Sequence, residues 1–152
     1  MNIFLYAPDE FKNLCVIARS LECFGYHECN LFDPHHLVRR KYGKSYSHRI
    51  RTVSAGAYFL IHWNTVEDPI DFLRRYPGRR IAAVPSPEAT PIHKIVFHPS
   101  DIVIFGSERT GIPPEIQALC ELALTIPLTG RTQSLNLSVA VGIVLAEMTH
   151  AS

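Results

Sequence analysis

The stretch Ile102-Val103-Ile104-Phe105-Gly106-Ser107-Glu108-Arg109-Thr110-Gly111-Ile112-Pro113 decides the fold. Four consecutive apolar residues, β-branched or aromatic at every position, fit a strand covered on both faces, which is how parallel sheets are built. Gly and polar residues then end it in a turn. Similar short runs at 3–6, 58–61 and 81–84, and weaker ones at 28–32 and 122–126, predict further strands. Helical patterns lie between them. Leu14, Ile17, Ala18 and Leu21 share one face, Ile70, Phe72 and Leu73 follow Pro69, and a long closing helix runs from about Ser134 to Met148. Alternating strands and helices predict an α/β fold with a parallel sheet.

The 152 residues suit one domain spanning 1–152, long enough for a real core and too short for two. With 47% apolar and 19% charged residues, disordered, collagen-like and low-complexity classes are excluded. The N-terminus has no basic segment followed by a long apolar run, so a cytoplasmic protein without a membrane span is expected. Cys15, Cys23, Cys29 and Cys120 form no C-x-x-C pair and are expected reduced. No histidine or cysteine grouping has zinc-site spacing, so no metal is expected.

Ligands of open α/β sheets bind beyond the carboxyl ends of strands. That rule makes 85–91, 106–114 and 127–133 the candidate pocket walls. In the second of these, Gly106 and Gly111 flank Glu108 and permit close backbone approach, although an ordinary tight turn has the same appearance. It lacks the G-K-[ST] ending of a phosphate-binding loop and the G-x-G-x-x-G of a dinucleotide fold. The third leads through Ile126, Leu128, Ser134, Leu135 and Asn136 into the last helix; Ser134 has the residue type of an N-cap, and Asn136 gives that helix a polar tip.

These two segments, in this order and spacing, resemble motifs two and three of the SpoU branch of the SPOUT superfamily, the RNA ribose 2′-O-methyltransferases. The resemblance runs from Ile3 to Met148. In size and pattern the chain is most similar to the minimal members that methylate the wobble cytidine or uridine of tRNA. Motif one is carried by Asn13, Arg19 and Phe24-Gly25, with Cys15 and Val16 where the family usually has Gly-Asn.

The resemblance implies a parallel-sheet α/β knot with a deep C-terminal trefoil knot and a homodimer joined by the first and last helices. It implies S-adenosyl-L-methionine as cofactor, released as S-adenosyl-L-homocysteine and held by Val84, Gly106, Ile126 and Ser134, with Leu128 and Leu135 lining the adenine slot. It assigns catalysis to Arg19, Asn13, Glu108, Ser134 and Asn136. A guanidinium with a pKa above about 12 is a poor proton acceptor, so Arg19 is expected to anchor phosphate and stabilise an oxyanion, oriented by Asn13.

Residues 34–66 contain no Asp or Glu but carry Arg39, Arg40, Lys41, Lys44, Arg49 and Arg51. Two readings stand for this stretch, a solvated surface loop and an RNA-binding patch with Tyr42 and Tyr46 interleaved. The resemblance favours the patch, with a tRNA anticodon stem-loop as partner. A non-catalytic knotted RNA-binding dimer, methylation of ribosomal RNA, and an unrelated α/β enzyme using NAD or ATP are the competing functions.

Overall fold

The computed structural model of the chain describes residues 1–38 and 44–150, with backbone alone for residues 44–46. Its strands are β1 (Asn2–Tyr6), β2 (Glu28–Phe32), β3 (His62–Thr65), β4 (Arg80–Ala83), β5 (Thr90–Pro91), β6 (Ile102–Phe105) and β7 (Leu122–Thr125). The helices are α1 (Phe11–Cys23), α2 (Lys44–Ser54), α3 (Pro69–Arg75), α4 (Pro114–Gln117) and α5 (Leu137–His150). The strands form one seven-stranded sheet in the order β3-β2-β1-β6-β4-β7-β5. Every pairing in it is parallel.

Strand pleating sends alternate side chains to opposite faces. Ile3, Leu5, Ile81, Val103 and Phe105 pack with Leu14, Ile17 and Leu21 of α1, Ile50 of α2 and Val141, Val144 and Leu145 of α5. Phe4, Ala82, Ile102 and Ile104 pack on the other face with Leu73 of α3 and Ile116 of α4. Burial on both faces explains why β6 is apolar at all four positions. A half-buried ion pair ties the starts of β4 and β6. Arg79 donates from Nε to Asp101 Oδ1 at 3.1 Å and from Nη2 to Oδ2 at 2.6 Å, while the amide of His98 donates to Oδ2 at 2.9 Å. Asp101 is fully buried, and these donors offset its desolvation.

The sequence expectation fails at 58–61. This run is not a strand: Ala57–Phe59 forms a 3-10 turn, entered through Gly56 at φ 85, and the strand is the polar His62–Thr65 that follows. Tyr58 and Ile61 are buried in the core beneath α1, while Phe59 and Leu60 face outward. An edge strand needs less apolar surface than a central one, so β3 pairs with β2 without an apolar run. The closing helix also starts later than expected, at Leu137, and α2, α4 and β5 emerge from stretches without a clear periodic pattern.

Candidate active site

The loops after β4, β6 and β7 leave the same edge of the sheet because the three strands are parallel neighbours. Between them opens a cleft of about 680 Å³. Val84, Gly106, Ile126, Leu128, Ser134 and Leu135, the six residues assigned to cofactor by resemblance, all line it. Phe105, Leu137 and Ala140 add apolar lining that the sequence reading did not name.

The loop after β6 is closed upon itself. Ser107 and Gly111 exchange backbone hydrogen bonds at 3.2 and 3.0 Å, and the Ser107 hydroxyl lies 2.8 Å from that of Thr110. Gly111 adopts φ 68, and a Cβ on Gly106 would lie 2.0 Å from the Gly111 carbonyl carbon, so residue 106 has room for glycine only. The glycine therefore serves the loop's closure on itself before it serves any ligand.

Glu108 joins this loop to the start of α1. Its carboxylate accepts from the amide of Asp9 at 2.7 Å, the amide of Glu10 at 3.3 Å and Asn13 Nδ2 at 2.6 Å. Asn13 Oδ1 in turn accepts from Asn136 Nδ2 at 3.1 Å, and Asn136 Oδ1 accepts from the Ser138 amide at 2.8 Å and its hydroxyl at 2.6 Å. One polar chain thus links three segments, Glu108 to Asn13 to Asn136, and each of its two links joins residues more than ninety positions apart in sequence. It leaves little acceptor capacity free on Glu108, which suits a bracket better than a general base.

Three expectations change here. Asn13 does not orient Arg19: its amide is engaged by Glu108 and Asn136, while Arg19 sits on an exposed side of α1 and has no hydrogen bond or ion pair among the described residues. Ser134 does not cap the last helix, because the helix begins at Leu137 and the cap is the side chain of Asn136. Asn136 lies outside the cleft lining, its polar atoms committed to that cap and to Asn13.

Asp9 and His35, absent from the sequence reading, and Arg109, given no role in it, belong to the same cluster. Asp9 Oδ1 accepts from Arg109 Nη2 at 3.1 Å and lies 3.6 Å from His35 Nε2. The hydrogen bond from Arg109 holds the Asp9 carboxyl below its usual range, against burial, which acts the other way. Applying the strand-end rule to β1 as well as β4, β6 and β7 points to Asp9, three residues beyond Tyr6. Burial pushes the Cys15 thiol up to about 11 and Cys29 higher still, so neither is a ready thiolate.

Arg39, Arg40 and Lys41, and the side chain of Lys44, lie outside the described residues. Arg49 is exposed on α2, and Arg51 on the same helix stacks its guanidinium 4.8 Å from the Phe59 ring centre. The described part of the basic stretch is thus a helix rather than a loop. Among the described residues no group of three His, Cys, Asp or Glu could hold a metal ion, and no helix is long and apolar enough to cross a membrane.

Fold and site together define a parallel α/β protein with a ligand cleft at the carboxyl ends of neighbouring strands. Residues 1–146 match the SpoU rRNA Methylase family, and the chain belongs to that family. It is 28% identical over 153 residues to the tRNA (cytidine(34)-2′-O)-methyltransferase of Beijerinckia indica, covering 94% of this chain and 86% of that one. It is also 28% identical over 141 residues to the tRNA (guanosine(18)-2′-O)-methyltransferase of Escherichia coli K12, covering 89% of this chain but 56% of the longer protein. The chain spans about half the length of several such relatives, down to 46% of the Aquifex aeolicus enzyme of that name. Among solved structures, the Aquifex aeolicus TrmH/SpoU tRNA modifying enzyme superposes with TM-score 0.84 at 22% identity, over 99% of this chain and 74% of the other. A structure described as giving insights into 2-OH methylation of C/U34 on tRNA superposes with TM-score 0.79 at 26% identity, over 97% and 92%.

Proposed function

We propose that the chain is an RNA ribose 2′-O-methyltransferase that uses S-adenosyl-L-methionine and acts on the wobble cytidine or uridine of tRNA. The observation that carries this reading is the single cleft on which the loops after β4, β6 and β7 converge, in a chain of the SpoU family. Its volume suits a ligand of cofactor size. Val84, Ile126, Leu128 and Leu135 offer an apolar slot for a nucleobase, and Gly106 lets backbone approach the ligand without a side chain between. The choice of wobble nucleotide is supported by the cytidine-34 relative, whose match covers 94% of this chain, and by the structure described as concerning 2-OH methylation of C/U34 on tRNA, which superposes over 97% of it.

The cofactor, when bound, supplies a methyl group on a cationic sulfonium. Attack by the ribose 2′-oxygen requires the two partners in line, and positioning contributes much of the rate. Glu108, Asn13 and Asn136 hold the three segments that shape the site, and Ser134 adds a hydroxyl at the cleft wall. The exposed Arg49 and Arg51 of α2 offer cations to an RNA backbone. The same reading includes the deep trefoil knot, a cytoplasmic setting and a homodimer through α1 and α5, in which Arg19 completes the site by anchoring RNA.

The test is incubation with labelled S-adenosyl-L-methionine and undermodified bulk tRNA, followed by nucleoside mass spectrometry. A 2′-O-methylated cytidine or uridine at the wobble position is expected. Label on ribosomal RNA alone overturns the tRNA assignment, and no label on either RNA overturns the enzyme reading.

A further inference from the structure

Among the described residues, Arg109 is the only basic residue lining the cleft. The two acids that line it with Arg109 are both engaged: Glu108 by the Asp9 and Glu10 amides and by Asn13, and Glu88 by the Ser86 hydroxyl. Among the described residues, the cation that an anionic ligand meets in the cleft is therefore Arg109. The side chain of Arg109 is 78% exposed, yet its root is fixed by the closed loop and its tip by Asp9, a residue one hundred positions away.

The geometry of Asp9 suits this purpose. Its side chain is 13% exposed, and Oδ2 is shut off from solvent with no hydrogen-bond partner. The carboxylate thus holds the guanidinium through Oδ1 while its second oxygen stays shut off from solvent. One Arg109 nitrogen is used at Asp9, and the remaining donors of the fork, which have no partner among the described residues, suit a planar or tetrahedral oxyanion.

A ribose 2′-hydroxyl in RNA sits next to the 3′-phosphate of the same nucleotide. A cleft that takes the hydroxyl therefore holds a phosphodiester at its mouth. Arg19 does not line the cleft of its own chain. We infer that Arg109 binds the RNA phosphate adjoining the target ribose, and that Asp9 is the positioning residue that aims it. This rests on the methyltransferase reading and supplies that reading with a phosphate contact from within one chain.

The test measures binding rather than turnover. Dissociation constants for bulk tRNA are read by filter binding across a salt series, and for S-adenosyl-L-homocysteine by calorimetry, with thermal melting as the control for folding. Arg109→Ala is expected to weaken tRNA binding about tenfold and reduce the salt slope by about one, as loss of one phosphate contact does. Its homocysteine-product affinity stays within about twofold, and Arg109→Lys recovers the slope but only part of the affinity. Asp9→Ala weakens tRNA binding about threefold at an unchanged slope, and Asp9→Asn, which keeps an acceptor oxygen, recovers part of it.

Unchanged tRNA binding and slope in Arg109→Ala overturns the inference. So does a loss of S-adenosyl-L-homocysteine affinity with tRNA binding intact, which assigns the guanidinium to the cofactor's carboxylate. Tighter tRNA binding in Asp9→Ala overturns the positioning role and makes Asp9 a neutralising charge. Methyl transfer by the unaltered chain is scored separately, so absence of product with the expected binding changes refutes the methyltransferase reading alone.

Discussion

The two loops that face each other across the cleft are built in opposite ways. The loop after β6 is closed by the Ser107–Gly111 bridge, bracketed through Glu108 to three donors and tied through Arg109 to Asp9. In the loop after β7, residues 127–133 are all exposed and none forms a hydrogen bond among the described residues. Yet both line the cleft, the second through Leu128. One wall carries fixed geometry, and the other carries contact surface on a backbone with few restraints of its own. A site that must admit a large ligand and then hold reacting atoms in place needs both kinds of wall.

The contrast breaks first at Gly106. Gly106→Ala sets a methyl against the Gly111 backbone rather than against a side chain that can turn away. A loss of about 3 kcal/mol in urea-induced unfolding is expected, the scale of severe backbone strain. A loss under about 1 kcal/mol would mean that the loop after β6 is as adaptable as the one after β7. Glu108→Ala comes next, because it leaves the Asn13 amide and two backbone N–H groups without their acceptor. About 2 kcal/mol of stability should be lost, with methyl transfer falling further than cofactor affinity. If transfer and affinity fall together, the bracket serves the cofactor alone.

Leu128→Ala sharpens the comparison from the other wall. At 40% exposure, Leu128 contributes little to the core, so unfolding should shift by about 0.5 kcal/mol or less. Affinity for S-adenosyl-L-homocysteine should nevertheless drop several-fold, a separation that no residue of the bracketed loop is expected to show. The smallest effect is one of pH. The Asp9 carboxyl titrates below its ordinary value when folded, so its contribution is complete above about pH 4 and is lost as pH falls through the lower folded value. Melting temperatures of the chain and of Asp9→Asn should therefore differ near neutrality and converge in acid. A difference that persists to pH 2 assigns the stabilisation to shape rather than charge.

Legibility in the sequence follows the same division. The strands at the centre of the sheet were readable because burial on both faces forces apolar residues at consecutive positions, as in Ile102–Phe105. At the edge that demand lapses. The run 58–61 has the apolar pattern of a strand, whereas the edge strand His62–Thr65 carries one large apolar residue, Trp63. Five of the six cofactor-side residues fall in the two motifs and Val84 closes the run 81–84, and all six lie on one cleft, since strand-end loops of neighbouring parallel strands must converge. Asp9 was missed because its partner is a hundred residues away and no local pattern records the pair.

The sequence by itself determined the α/β class, the central strands, the first helix and the loops that line the cleft, because each follows from local periodicity or from a motif written in consecutive residues. Only the tertiary structure decided that Asn136 rather than Ser134 caps the last helix, that Asn13 serves Glu108 rather than Arg19, and that Arg109 is the cation at the cleft. The first two are choices of hydrogen-bond partner, and the third is a choice of which side chain reaches the cleft. Such a choice is made by distance in the folded chain, which sequence separation does not encode.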